Sequence, residues 1–184
     1  MQVKATGFEG LLEIIPTIFE DDRGWFYEFY KEETFKKHDI QYSFVQENQS
    51  FSKKGVIRGL HLQLPPYAQA KLVTVISGKV LDVVVDVRKT SKTFKQVYYC
   101  MLEGDRRNML MVPEGFAHGF AALEDSLFYY KCSNVYNRAS ETGIRWNDPA
   151  LNINWRIENP VLSGKDSELP VLADLLENSI ISQN

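Results

Sequence analysis

The stretch Lys79-Val80-Leu81-Asp82-Val83-Val84-Val85-Asp86-Val87 sets the fold class of this 184-residue chain. Its β-branched residues favour a pleated strand, on which side chains alternate between faces with a period of two. Leu81, Val83, Val85 and Val87 share one wholly apolar face, while Val80, Asp82, Val84 and Asp86 share another that carries two carboxylates. The apolar face must meet a core. The second face fits either a polar cavity or solvent. Around this run lie others of similar bias, Leu72 to Ser77, Phe94 to Leu102, Met109 to Val112 and Ser126 to Ser133, separated by Gly, Pro, Asn and charged residues. Short strands divided by turn residues predict an all-β sandwich or barrel.

Helices are minor. Lys31 to His38 places Glu32 and Glu33 early and Lys36 and Lys37 late, which suits a short helix through its dipole. A second helix is expected after Pro170, with Leu172, Leu175 and Leu176 as its apolar stripe. No internal repeat or linker divides the chain, so a single domain over residues 1–184 is expected. With 44% hydrophobic residues it can bury a real core, and a net charge of −3 argues against nucleic acid or anionic membrane as partners. Any anionic ligand must meet a local basic pocket. Cys100 and Cys132 lie among apolar neighbours, which predicts buried reduced thiols. The N-terminal segment has no apolar run of signal-peptide length, and no stretch approaches a membrane span, so a soluble cytoplasmic protein is expected.

Of three histidines, His38 reads as a surface residue, whereas His61 and His118 lie in Gly-rich, apolar segments. In Gly55-Val56-Ile57-Arg58-Gly59-Leu60-His61-Leu62-Gln63, strict alternation puts Ile57, Gly59, His61 and Gln63 on one face and Val56, Arg58, Leu60 and Leu62 on the other. Arg58 among apolar residues needs an anion or carboxylate to meet it. The segment Val112-Pro113-Glu114-Gly115-Phe116-Ala117-His118-Gly119-Phe120 turns at Pro-Glu-Gly. Its order Pro-x-Gly-x-x-His resembles the second motif of the cupins, small β-barrels that often bind a metal through three His and one Glu. Here the first motif supplies His61-x-Gln63 followed by Lys71, and Gln and Lys are not suited to that set. A metal would need two His and a carboxylate such as Asp82, so no metal site is expected. Without one, His61, Lys71, a tyrosine such as Tyr130 and several arginines combine a proton-transfer group with an oxyanion group. A carbon acid beside a carbonyl requires both. Histidine suits the base, Lys the enolate oxygen, and Tyr the return of a proton.

Seven collinear motifs then resemble the dTDP-4-dehydrorhamnose 3,5-epimerase family: Phe19-x-Asp21-x-Arg23-Gly24, Gln46-x-Asn48, Gly55-Val56-Ile57-Arg58-Gly59-Leu60-His61, Lys71, Val112-Pro113-x-Gly115-Phe116-x-His118-Gly119-Phe120, Tyr130-Lys131 and Leu162-Ser163-x-Lys165-Asp166. The resemblance implies a double-stranded β-helix, or cupin-like jelly roll, that forms a homodimer by exchange of an N-terminal strand. It implies His61 as general base, oriented through its Nδ1 by Asp166, with Tyr130 as proton donor on the opposite face and Lys71 at the enolate oxygen. It also implies contacts to sugar or nucleotide from Arg23, Glu28, Gln46, Glu47, Asn48, Arg58, His118, Glu141 and Lys165. Phe26 and Tyr136 would pack on the thymine ring; many relatives carry Trp where this chain has Tyr136. No cofactor is needed, because the substrate's own keto group is the electron sink. The implied reaction is epimerisation at carbons 3 and 5 of dTDP-4-dehydro-6-deoxy-D-glucose. Rival readings are a mono-epimerase acting at carbon 3 or carbon 5 alone, a metal-dependent cupin oxygenase or isomerase, and a sugar-nucleotide binding protein without chemistry.

Overall fold

The computed structural model describes residues 1–178, so residues 179–184 of the expected domain lie outside the described residues. In chain order the elements are β1 (Gln2–Ala5), β2 (Leu12–Ile15), β3 (Ile18–Asp21), β4 (Gly24–Tyr27), α1 (Glu32–Lys36), β5 (Gln46–Ser52), β6 (Ile57–Gln63), β7 (Lys71–Ser77), β8 (Lys79–Asp86), β9 (Val97–Glu103), β10 (Met109–Val112), β11 (Phe116–Ala122), β12 (Ser126–Cys132), β13 (Glu141–Gly143), α2 (Gly164–Ser167) and α3 (Leu172–Asn178). One sheet runs β1-β2-β10-β7-β12-β5 and the other β13-β6-β11-β8-β9, while β3 and β4 pair only with each other. The pairings are antiparallel. Sequence neighbours often lie apart in the sheets, which is the connectivity of the expected jelly roll.

Three apolar clusters account for the layers. Val73, Val75, Val80, Val84, Leu110, Phe116, Phe120 and Phe128 fill the space between the sheets. Behind the five-stranded sheet, Ile57, Leu60, Leu81, Val83, Val85 and Ala117 pack under the C-terminal segment through Ile144, Trp155, Leu172 and Leu175. The expected leucine stripe of α3 is thus what seals that face, with Leu176 partly buried beside it. Behind the six-stranded sheet, Ile14, Leu72, Met109 and Met111 are covered by Phe35 and Ile40, so α1 exists because it supplies a lid. Strand β8 is buried on both faces, and its carboxylate face looks between the sheets, where Asp82 and Asp86 are fully buried. Both carboxylates are met: Asp82 by His118, and Asp86 by Arg88, Ser91 and Thr93. A buried carboxylate would otherwise be expensive.

The alternation expected along β6 fails at one point. His118 of β11 faces His61, but Phe120 faces Arg58, so three steps along β6 match two along β11. The extra residue is a bulge at Gly59 and Leu60, and it brings Arg58 and His61 onto the same face. Ile57, Leu60 and Leu62 take the opposite face and pack in the outer core. Glycine is required here. Gly59 has φ +120°, and a Cβ on it would lie 2.5 Å from the Cα of Gly119.

Cys100 and Cys132 are buried free thiols, and His38 is exposed, as the sequence predicts.

Candidate active site

A cavity of about 390 Å³ opens at one end of the space between the sheets, a size suited to a small organic ligand. Strand alternation decides what enters it. From β6 come Arg58, His61 and Gln63; from β7, Lys71; from β11, His118; from β12, Tyr130 and Cys132; and from β5, Gln46 and Asn48. Phe120 and Phe128, stacked with ring centres 4.2 Å apart, also line it. Tyr136 and Glu141 stand at its edge.

The base candidate is held from behind. His61 Nε2 lies 2.5 Å from Asp166 Oδ1. Asp166 is presented by α2, whose N-cap Ser163 accepts the Asp166 backbone N–H at 3.1 Å. Burial alone would raise the Asp166 carboxyl, but hydrogen bonds from His61, Ser163 and the Gly59 backbone, with the nearby imidazole charge, hold it below its ordinary value. An ionised carboxylate only accepts, so the proton of this contact sits on Nε2. The expected Nδ1 contact is therefore corrected to Nε2. In the neutral ring, the lone pair then belongs to Nδ1.

Lys71 carries the opposite kind of charge. Its ammonium has no carboxylate within ion-pair distance among the described residues, and burial lowers its pKa against weaker opposing effects of Cys132, Glu141 and Asp82. A desolvated amine with no carboxylate partner in a cavity wall is poised to meet an anionic group, whose approach would favour its charged form. Tyr130 is half-buried, and burial raises its pKa, so its hydroxyl keeps its proton through neutral pH. Its neighbour Tyr129 points the other way and donates to Glu47 Oε2 at 2.7 Å, which separates the two tyrosines as alternation predicts. His118 lines the cavity with its Nε2 2.9 Å from Asp82 Oδ2. Asp82 is thereby engaged, and no three His, Cys, Asp or Glu side chains among the described residues cluster as a metal site would need.

At the mouth, Glu141 accepts from Tyr136 Oη at 2.7 Å and pairs with Lys165 at 2.5 Å. Burial pushes the Glu141 carboxyl up, but these partners outweigh it and lower its pKa. Arg58 donates to Ser52 Oγ at 2.9 Å and to the Phe51 carbonyl at 3.1 Å, leaving its guanidinium exposed beside the opening.

Four expected contact residues are not brought to this cavity by the chain itself. Glu47 faces outward from β5, bound to Tyr129 and Lys131, because it alternates with Gln46 and Asn48. Arg23, Phe26 and Glu28 belong to the β3–β4 hairpin and the segment after it. There Arg23 pairs with Asp21 at 2.5 Å, Glu28 accepts from Thr34, and Phe26 is exposed. Conversely, the cavity contains Gln69 and Phe128, which the sequence did not single out, and Gln63, noted there only as a poor metal ligand. Gln63 and Phe128 could have been found by extending the alternation from His61 and Tyr130.

A family model described as dTDP-4-dehydrorhamnose 3,5-epimerase matches residues 5–174. The chain is 45% identical over 168 residues to dTDP-4-dehydrorhamnose 3,5-epimerase of Shigella flexneri, covering 90% of this chain and 93% of that one. Its fold matches the crystal structure of the Bacillus anthracis dTDP-4-dehydrorhamnose 3,5-epimerase with TDP and PPi bound, with a TM-score of 0.91 and 43% identity over 93% of this chain and 99% of that one. It also matches the Legionella pneumophila dTDP-6-deoxy-D-glucose-3,5-epimerase in complex with dTDP-4-keto-L-rhamnose, with a TM-score of 0.89 and 40% identity over 94% of this chain and 93% of that one.

Proposed function

The chain belongs to the dTDP-4-dehydrorhamnose 3,5-epimerase family, and from that premise we propose that His61 and Tyr130 exchange protons at carbons 3 and 5 of dTDP-4-dehydro-6-deoxy-D-glucose, yielding dTDP-4-dehydro-L-rhamnose. The observation that carries this reading is the convergence of the His61–Asp166 pair, the unpaired Lys71 ammonium and the Tyr130 hydroxyl on one cavity. The Nδ1 lone pair of His61 takes the proton from the carbon beside the keto group, and Asp166 steadies the imidazolium that forms. Charge moves onto the keto oxygen, where Lys71 meets it. Tyr130 returns a proton to the other face, which inverts the carbon.

Arg58, Gln46, Asn48, His118, Glu141 and Lys165 hold the sugar nucleotide in this reading, with Tyr136 packing against the base. Arg23, Phe26 and Glu28 reach the cavity of a second copy in a homodimer. Support for this part comes from the exposed aromatic side chains of the β3–β4 hairpin, which leave an apolar surface for a partner to cover. Among the described residues no helix is long and apolar enough to cross a membrane.

A proton NMR time course in deuterium oxide with dTDP-4-dehydro-6-deoxy-D-glucose tests the reaction. Deuterium should enter at both carbon 3 and carbon 5 as the product appears. Incorporation at one carbon alone would replace this reading with a mono-epimerase, and no incorporation would refute it.

A further inference from the structure

The segment that carries Tyr136 has no strand ladder of its own. Strand β12 ends at Cys132 and β13 begins at Glu141. In place of a ladder, side-chain amides hold the backbone. Gln63, buried at the end of β6, donates from Nε2 to the Tyr67 carbonyl at 2.6 Å and to the Val135 carbonyl at 3.1 Å. Its Oε1 accepts from the Asn137 backbone N–H at 2.6 Å. One amide therefore brackets Tyr136, gripping the residue before it and the residue after it. Gln46 Oε1 accepts from the N–H of Tyr136 itself at 2.8 Å, and Gln69 Nε2 donates to the Asn134 carbonyl at 2.7 Å.

The chemistry of Gln63 is used in full. A primary amide offers two N–H donors and a carbonyl acceptor, and each has a backbone partner here. A carboxylate would keep the acceptor and lose both donors; an apolar side chain of similar length would lose all three bonds. Nothing in the proton-transfer chemistry requires an amide at this position.

We infer that Gln63 is a positioning residue for recognition of the nucleoside diphosphate. It fixes residues 135–137 so that the Tyr136 ring already stands at the cavity edge where a base can pack on it. This rests on the reading of Tyr136 as the base-packing side chain. An aromatic surface held in place before binding avoids the ordering cost that a loose segment would incur. The catalytic groups on β6, β7 and β12 do not depend on that segment, so the effect of Gln63 falls on affinity before it falls on turnover.

The test is titration calorimetry of the full-length protein with dTDP, together with KM and kcat for the sugar nucleotide, in Gln63→Met, Tyr136→Ala and the double variant. Gln63→Met and Tyr136→Ala should each weaken dTDP roughly tenfold, the scale of one or two lost hydrogen bonds or a lost stacking contact. The double variant should bind no more weakly than Tyr136→Ala alone, because Gln63 acts through Tyr136. In Gln63→Met the rise in KM should exceed the fall in kcat. Wild-type binding by Gln63→Met, or full additivity in the double variant, would overturn the inference while leaving the base-packing reading intact. Wild-type binding by Tyr136→Ala would instead overturn the base-packing reading, and the inference with it. If Gln63→Met does not fold, Gln69→Leu removes one supporting bond and should weaken dTDP in the same direction by a smaller factor. Unchanged binding in that variant would then count as the refutation.

Discussion

His61, Lys71 and Tyr130 come from three strands and meet in one cavity, whereas Arg23, from the same set of sequence motifs, and Phe26, implied by the same resemblance, stand on a hairpin away from it. The cavity residues are fixed by sheet register and by the packed phenyl rings of Phe120 and Phe128. The hairpin is held by its own pairing, by Tyr27 packed on the apolar cluster behind the six-stranded sheet, and by the Arg107 guanidinium 3.9 Å from the Trp25 ring centre. Phe19, Trp25 and Phe26 are 61%, 56% and 67% exposed, a costly display of aromatic surface for a free-standing element. The difference teaches that one motif set has two addresses. In the proposed reading, proton transfer is assembled within a chain, and part of the grip on the nucleotide comes from a second copy.

The sharpest way to break this comparison is inside the cavity. His61→Asn keeps a polar side chain but removes the base, so solvent deuterium incorporation should fall roughly 10³-fold or more while dTDP still binds. Exchange at the wild-type rate would mean that the cavity does not house the base. On the hairpin, Arg23→Glu reverses an exposed charge that in the homodimer reading faces a pyrophosphate, and kcat/KM should drop by about 10². Its thermal midpoint should stay close to the wild type, because the side chain is exposed and its only ion-pair partner among the described residues is the neighbouring Asp21. An unchanged kcat/KM would detach the hairpin from nucleotide binding.

A smaller effect separates the regions by pH. The Asp166 carboxyl is lowered from its ordinary value of 3.8 in the folded chain. Its contribution to stability is present above that ordinary value and is lost as pH falls through the lower folded value. Thermal unfolding followed from about pH 6 to about pH 3 should therefore show a steeper acid loss in the wild type than in Asp166→Asn. Parallel curves would mean that the His61–Asp166 contact adds no acid-sensitive stability.

How far the sequence carries depends on what periodicity can see. The β8 run and the α3 stripe follow from alternation and apolar spacing, and the structure agrees with both. Alternation puts Tyr129 and Tyr130 on opposite faces, but the choice of Tyr130 rests on the family resemblance, in which Lys follows the tyrosine. Alternation misplaces Arg58 because the bulge at Gly59 inserts one residue; the glycine inside the strand pattern is the local mark of it, but does not by itself say which residues change face. The family resemblance implies Glu47 together with Gln46 and Asn48, but a strand sends adjacent side chains to opposite faces. Which imidazole nitrogen meets Asp166 depends on the approach of α2 in three dimensions. The role of Gln63 is invisible for a related reason: its partners are backbone atoms of residues 67, 135 and 137, and backbone atoms leave no signature in side-chain identity.

The two addresses are tested together by subunit complementation. His61→Asn carries a defective cavity and an intact hairpin, and Arg23→Glu carries the reverse. Mixed under conditions that allow subunits to exchange, and assayed with substrate well below the wild-type KM, they form heterodimers in which one of the two sites is wholly native. The account predicts recovery of about a quarter of wild-type activity, the share expected from random pairing. Activity no greater than the sum of the two variants assayed apart, with heterodimers demonstrated in the mixture, would contradict it.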